Sequence, residues 1–284
     1  MDITTTPHAD SGRIAPLYRP DLEHDSCGVG LVVDIAGRPS RSLVELALAG
    51  LVNLTHRGGV GADQRTGDGA GVLTQIPTLL RGEGVAPGEL AVAMTFLPRD
   101  SERAETAKRV MDDALAERGI VGARWREVPV DPDVLGDIAR STMPGIAQLL
   151  IERPAGIDGD VFERDLMLGR RAVERAWAAA GIDDAFVVSC SARTIIYKGF
   201  CLPEDLGAFY LDLQRPDYDS AIALFHQRYS TNTLPTWAMA QPFRFIAHNG
   251  EINTIQGNRS WMLARRPVLA YPGVATRELS LIHI

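Results

Sequence analysis

Four groups far apart in this chain could together split a carboxamide: a thiol, a guanidinium, a primary amide and an unshielded backbone N–H. The thiol is Cys27, in Asp25-Ser26-Cys27-Gly28-Val29-Gly30. The others fall in two dense polar segments, His226-Gln227-Arg228-Tyr229-Ser230-Thr231-Asn232-Thr233 and His248-Asn249-Gly250-Glu251-Ile252-Asn253-Thr254. A thiol attacks a carbonyl only as thiolate, so something must take its proton. A chain beginning at Cys27 would carry its own base, because an α-amine titrates near ~7.7–8.0 and a thiol near ~8.5. The oxygen that becomes negative needs fixed donors, and the Asn249 side chain and Gly250 N–H can supply them. Arg228 offers a planar fork matched to a carboxylate, and Thr231 adds a hydroxyl.

Each of these residues also has a purely structural reading. A cysteine before Gly-Val-Gly is commonly a buried, inert thiol. Arg228 can be a structurally paired cation, and Asn249-Gly250 is a routine type I′ turn. His56, His226 and His248 have no metal-ligand spacing and read as core or loop histidines, and Trp237 and Trp261 as packing residues. The glycine-rich stretch 55–71 lacks both nucleotide-binding glycine patterns, so a phosphate cradle is rejected.

These residues need a frame, and the rest of the chain supplies one. Across 284 residues, 45% are hydrophobic and 23% charged, the balance of a globular chain with ample core. The net charge of −7 disfavours nucleic acid or an anionic membrane as partner, and no apolar run reaches the length of a membrane span. Three cysteines without a Cys-x-x-Cys spacing, and no apolar leader, point to a reducing, cytoplasmic setting.

Residues 1–26 read as an extended arm, 28–35 as a buried strand, and the segment after Ser40 or Ser42 as a helix with Leu43, Leu46, Ala47, Gly50 and Leu51 on one face. Strands are expected at 72–76, 90–97, 145–152, 185–191, 194–200, 223–229 and 243–248. Helices are expected at 102–118 and 160–180, the latter with a stripe of Phe162, Leu166, Gly169, Val173 and Ala176. Strands following strands favour an antiparallel sheet layered with helices, an α+β arrangement, over a doubly wound parallel one.

In this order the segments resemble the glutamine amidotransferase domain at the start of glutamate synthase large chains. The resemblance is carried by Cys27-Gly28-Val29-Gly30, by His56-Arg57-Gly58-Gly59 with Thr66-Gly67-Asp68-Gly69-Ala70-Gly71, by Ser191-Ala192-Arg193-Thr194-Ile195-Ile196-Tyr197-Lys198-Gly199, and by the two polar segments. It implies a four-layer αββα N-terminal nucleophile hydrolase fold, incomplete at the C-terminus. Residues 1–26 would be a propeptide and 27–278 a truncated amidotransferase domain. Residues 279–284 would be a non-native tail, as translated sequencing adapter would give. Cys27 is then the nucleophile, its α-amine the base, Asn249 and Gly250 the oxyanion site, and Arg228 with Thr231 the glutamine pocket.

The resemblance also implies that ammonia is used to aminate 2-oxoglutarate in synthase domains of the same chain. Those domains would hold FMN and a 3Fe-4S iron–sulfur cluster, and an NADPH-dependent small subunit would deliver electrons in bacteria. The acidic residue for the glutamine amino group is expected beyond this sequence, so the stretch alone is expected to be inactive. Another N-terminal nucleophile amide hydrolase, or a non-catalytic glutamine-sensing module, are the alternatives.

Overall fold

A computed structural model describes residues 28–228, 233–248 and 255–270. Eight strands form two wholly antiparallel four-stranded sheets. The first sheet has the order β1 (Val29–Val33), β8 (Ile222–Gln227), β2 (Ala70–Gln75), β7 (Thr194–Gly199). The second has β4 (Arg124–Glu127), β5 (Gly145–Glu152), β3 (Leu90–Leu97), β6 (Phe186–Ser191). The antiparallel expectation holds, and all strands expected between 28 and 227 are present.

Helix α1 (Arg41–Asn53) packs on β8 and β1. Ser40 caps it, accepting from Leu43 N at 3.2 Å, and Leu43, Val44, Ala47 and Leu51 are buried. Leu46 is 58% exposed, against expectation: Val44 takes its place, because the face turned to β8 is offset from the one the spacing suggested. α2 (Thr78–Arg81), α4 (Asp137–Ser141) and α6 (Pro203–Phe209) are short, and α7 (Ile255–Arg265) is largely exposed. Trp261 on α7 is 73% exposed and does not pack as expected, whereas Trp237 is buried.

The second sheet is buried on both faces, which explains why β3 reads as an unbroken apolar run. Ala91, Ala93 and Leu97 of β3, with Ala147, Leu149 and Ile151 of β5, pack against α3 (Ser101–Ala116) and α5 (Gly159–Ala179). Phe162, Leu166, Val173 and Trp177 supply the α5 side, and the Trp177 indole donates to Ala107 O at 2.9 Å. Ala176 is only half-buried, so Trp177 replaces it in the expected stripe. Side chains of the opposite parity, Val92, Met94, Phe96, Ile146 and Leu150, join residues of the first sheet and α1 in a second core. A buried polar cluster ties the sheets together. Arg126 forks onto Asp212, whose carboxylate accepts from Tyr197 at 2.7 Å, and Gln148 donates to the same hydroxyl at 2.8 Å. Every polar atom named there has a partner, as burial demands.

β1 corrects the expectation of a fully buried strand. It is an edge strand, with Leu31 58% and Val33 51% exposed on one face.

Candidate functional site

The antiparallel order brings the start of β1, the end of β8, the start of β2 and the end of β7 to one end of the first sheet. Gln227 N donates to Gly28 O at 2.7 Å, so the residue beside Cys27 faces the residue beside Arg228. Arg228 N donates to Gly69 O at 2.8 Å, extending the ladder to the glycine-rich segment.

The Arg228 side chain is 7% exposed. Its guanidinium donates to Asp68 O at 3.3 Å and to Thr233 Oγ1 at 2.8 Å, and lies 4.0 Å from Met239 Sδ. Among the described residues these partners are neutral, and no ion pair joins it. Burial lowers its pKa, while the nearby Asp68 charge opposes that. Beside it, burial holds the His226 imidazole down to about 4, with His248 and Arg228 adding to the effect. His226 is therefore neutral at physiological pH. His226 and Lys198 both lie opposite Gly71 in the ladder.

Lys198 was not singled out by sequence reasoning, although a lysine inside the run Thr194–Gly199 was a visible signal. Its ammonium is buried and donates to Ala238 O at 2.8 Å and Ala240 O at 2.6 Å, with the Phe243 ring 4.3 Å away. Burial, then the charges of Arg244 and Arg228, push its pKa well below the ordinary value. These bonds hold the segment 233–248, which turns back over the site without regular structure. The expected strand at 243–248 does not form. Phe243 N instead closes a turn onto Ile246 O at 2.8 Å, and Arg244 reaches Val187 O at 3.0 Å.

The glycine-rich stretch packs against the same end and leaves no room for side chains. A Cβ on Gly58 would run into the Gln227 amide, and one on Gly59 would lie 2.7 Å from Asp68 Oδ2. One on Gly67 would lie 2.6 Å from Cys201 O, and one on Gly71 would meet the Gln241 carbonyl. Asp63 folds the stretch between them. Burial would raise its pKa, but the Thr66 hydroxyl and the N–H groups of Ile138, Thr66 and Arg65 outweigh that and hold it far down. Behind the segment 233–248 a largely apolar cavity of about 520 Å³ is lined by Asp68, Phe96, Phe186, Phe200 and Trp237.

Of the expected site residues, Arg228 is placed as described. Cys27, Thr231, Asn249 and Gly250 lie outside the described residues. Their described neighbours Gly28, Gln227, Arg228, Thr233 and His248 converge on this end of the sheet. The two other thiols, Cys190 and Cys201, are buried, and burial raises both pKa values, Cys190 to about 12. Among the described residues no group of three or more His, Cys, Asp or Glu is placed to hold a metal ion, and no helix is long and apolar enough to cross a membrane.

The antiparallel two-sheet frame thus sets a buried guanidinium at the end of β8, beside the start of the first strand. The chain belongs to the class-II glutamine amidotransferases, which residues 27–283 match. Among curated relatives it is 43% identical over 275 residues to the glutamate synthase [NADPH] large chain of Azospirillum brasilense, covering 94% of this chain and 18% of the relative. It is 42% identical over 268 residues to ferredoxin-dependent glutamate synthase 2 of Synechocystis, covering 92% and 17%. Against the chloroplastic ferredoxin-dependent enzyme of Spinacia oleracea it is 41% identical over 289 residues, covering 97% and 18%. The chain thus spans less than a fifth of the length of the relatives it matches.

Proposed function

We propose that this chain is the glutamine-hydrolysing part of a glutamate synthase, with Cys27 as nucleophile. The observation that carries the reading is the buried Arg228 guanidinium with neutral hydrogen-bond partners, next in the chain to Gln227, whose N–H donates to the carbonyl of the residue that follows Cys27. A buried cation is costly without a directly paired opposite charge; Asp68 acts on Arg228 without an ion pair, and the α-carboxylate of glutamine would provide one. Thr231 would line the same pocket. The α-amine of Cys27, freed by loss of residues 1–26, takes the thiol proton. The thiolate attacks the side-chain carboxamide, and Asn249 with Gly250 stabilise the oxyanion. The C–N bond breaks as the amine returns the proton to the leaving nitrogen, releasing ammonia and leaving a γ-glutamyl thioester. Water then hydrolyses the thioester to glutamate and restores the thiol. The two sheets, with α1 on one and α3 and α5 on the other, support a four-layer αββα arrangement.

Ammonia would pass to the remaining synthase domains of the same chain and aminate 2-oxoglutarate. FMN and the 3Fe-4S iron–sulfur cluster belong to those domains in this reading, where they supply the electrons for reduction. The relatives' names divide between NADPH and ferredoxin, and an NADPH-dependent small subunit would serve the first kind. A reducing, cytoplasmic location and the absence of nucleic-acid and membrane partners complete the proposal.

The test uses the full-length parent enzyme. Intact-mass measurement should show loss of residues 1–26, and Cys27→Ser should abolish glutamine-dependent turnover while sparing turnover on free ammonia. A diazo-ketone analogue of glutamine should label Cys27 and neither Cys190 nor Cys201. An active enzyme retaining Met1 would refute the amine as base.

A further inference from the structure

The segment 233–248 contains a side chain that both donates to and accepts from a single neighbour. Gln241 is 8% exposed. Its Nε2 donates to His248 O at 2.7 Å, and its Oε1 accepts from His248 N at 2.8 Å. The amide thus imitates a paired strand residue, closing the loop 242–248 onto its own base. That base is fixed from three sides. Its carbonyl abuts Gly71, the preceding carbonyl of Ala240 accepts from buried Lys198 at 2.6 Å, and Arg244 within the loop donates to Val187 O at 3.0 Å. A loop that needed only to be closed would not require both polarities on one backbone unit. The residue so held is the one immediately before Asn249.

We infer that Gln241 is the positioning residue of the oxyanion site, setting the register and direction in which the chain enters Asn249-Gly250. The inference rests on the reading of that pair as the oxyanion donors. Donors aimed at a developing charge act in the transition state and hardly at all on bound substrate. Loosening their approach therefore lowers kcat and leaves KM alone, and misplacement by about 1 Å can cost about a hundredfold. Only an amide fits the role. A glutamate in its place offers two acceptors and repels His248 O, and a methionine of similar volume offers neither bond.

The experiment compares Gln241→Met, Gln241→Glu and Asn249→Ala in the full-length parent enzyme. It reads glutaminase kcat and KM separately, the rate of Cys27 alkylation by iodoacetamide, and the melting temperature. Both Gln241 variants should lower kcat about 10- to 100-fold, with KM within about threefold and alkylation unchanged. Should Gln241→Met fail to fold, Gln241→Glu keeps length and polarity and answers the same question. Wild-type kcat in the Gln241 variants beside a crippled Asn249→Ala overturns the inference and leaves the oxyanion reading standing. A matched shift of kcat, KM and melting temperature makes Gln241 merely structural and also overturns it. Asn249→Ala with unaltered kcat removes the oxyanion reading itself, and the inference with it.

Discussion

The layer of β3, β5, α3 and α5 and the segment 233–248 solve the same problem by opposite means. In the layer, backbone groups satisfy one another through ladders and helical bonds, and side chains such as Leu149, Leu166 and Trp177 are left free to pack. In the segment no ladder forms, and single side-chain-to-backbone bonds tie it down instead. Lys198 serves Ala238 and Ala240, Trp237 reaches Ala139 O at 3.2 Å, Arg244 serves Val187, and Gln241 serves His248. The first arrangement gives stability that tolerates repacking, and the second gives one fixed backbone path at a few irreplaceable contacts. Stability resides in one region and the candidate chemistry in the other.

The comparison is broken most forcefully at Arg228. Arg228→Lys keeps the charge but loses the fork, so glutamine kcat/KM should fall about a hundredfold in the parent enzyme. An unchanged kcat/KM would mean that the guanidinium is structural, as a packing residue in the helical layer would be.

His226 tests whether the site end carries a pH liability that the layer lacks. Its folded pKa of about 4 lies below the ordinary ~6.5, so the folded state favours the neutral ring. Stability from this residue is complete above pH ~6.5 and is lost progressively as pH falls towards about 4, by about 3 kcal/mol in total. Asp205 works the other way, since burial first and Glu204 second raise its carboxyl to about 6 and folding then favours its proton. The reading is therefore a difference. Urea melts between pH 7 and 4.5 should show wild type losing stability relative to His226→Gln, and parallel curves would remove the claim.

The smallest effect comes from one substitution made twice, within the layer and in β2 where it faces the segment. Gly169→Ala puts a Cβ 2.8 Å from the Leu115 side chain, which should cost about 1–3 kcal/mol of stability and leave kcat intact. Gly71→Ala drives a Cβ into the Gln241 backbone and should lower kcat as well as stability. Equal loss of kcat in both variants would erase the distinction between the two regions.

The layer was legible in the sequence because periodicity encodes it. The α5 stripe and the apolar runs of β3 and β5 needed only local spacing to be read. β4 escaped because Arg124-Trp125-Arg126-Glu127 is short and polar. α6 carried a readable start, Pro203 followed by Glu204 and Asp205, within a helix too short for a stripe. Arg228 was legible as chemistry, since a fork among hydroxyls and amides is a pattern in residue types. Lys198 and Gln241 were not, because their meaning lies in carbonyls 40 residues and seven residues away along the chain. The alternation over 243–248 misled for a related reason: apolar spacing does not report whether a segment pairs with a strand or is tied down by single side-chain bonds.

The bond from Gln227 to the Gly28 carbonyl has a consequence for maturation. Among the described residues, the ladder contacts of the first strand run from Gly28 onward, just beyond the position of Cys27. The proposed scission before Cys27 would break none of the described rungs. The proposed loss of residues 1–26 would therefore leave the described part of the sheet in place while freeing the amine of Cys27.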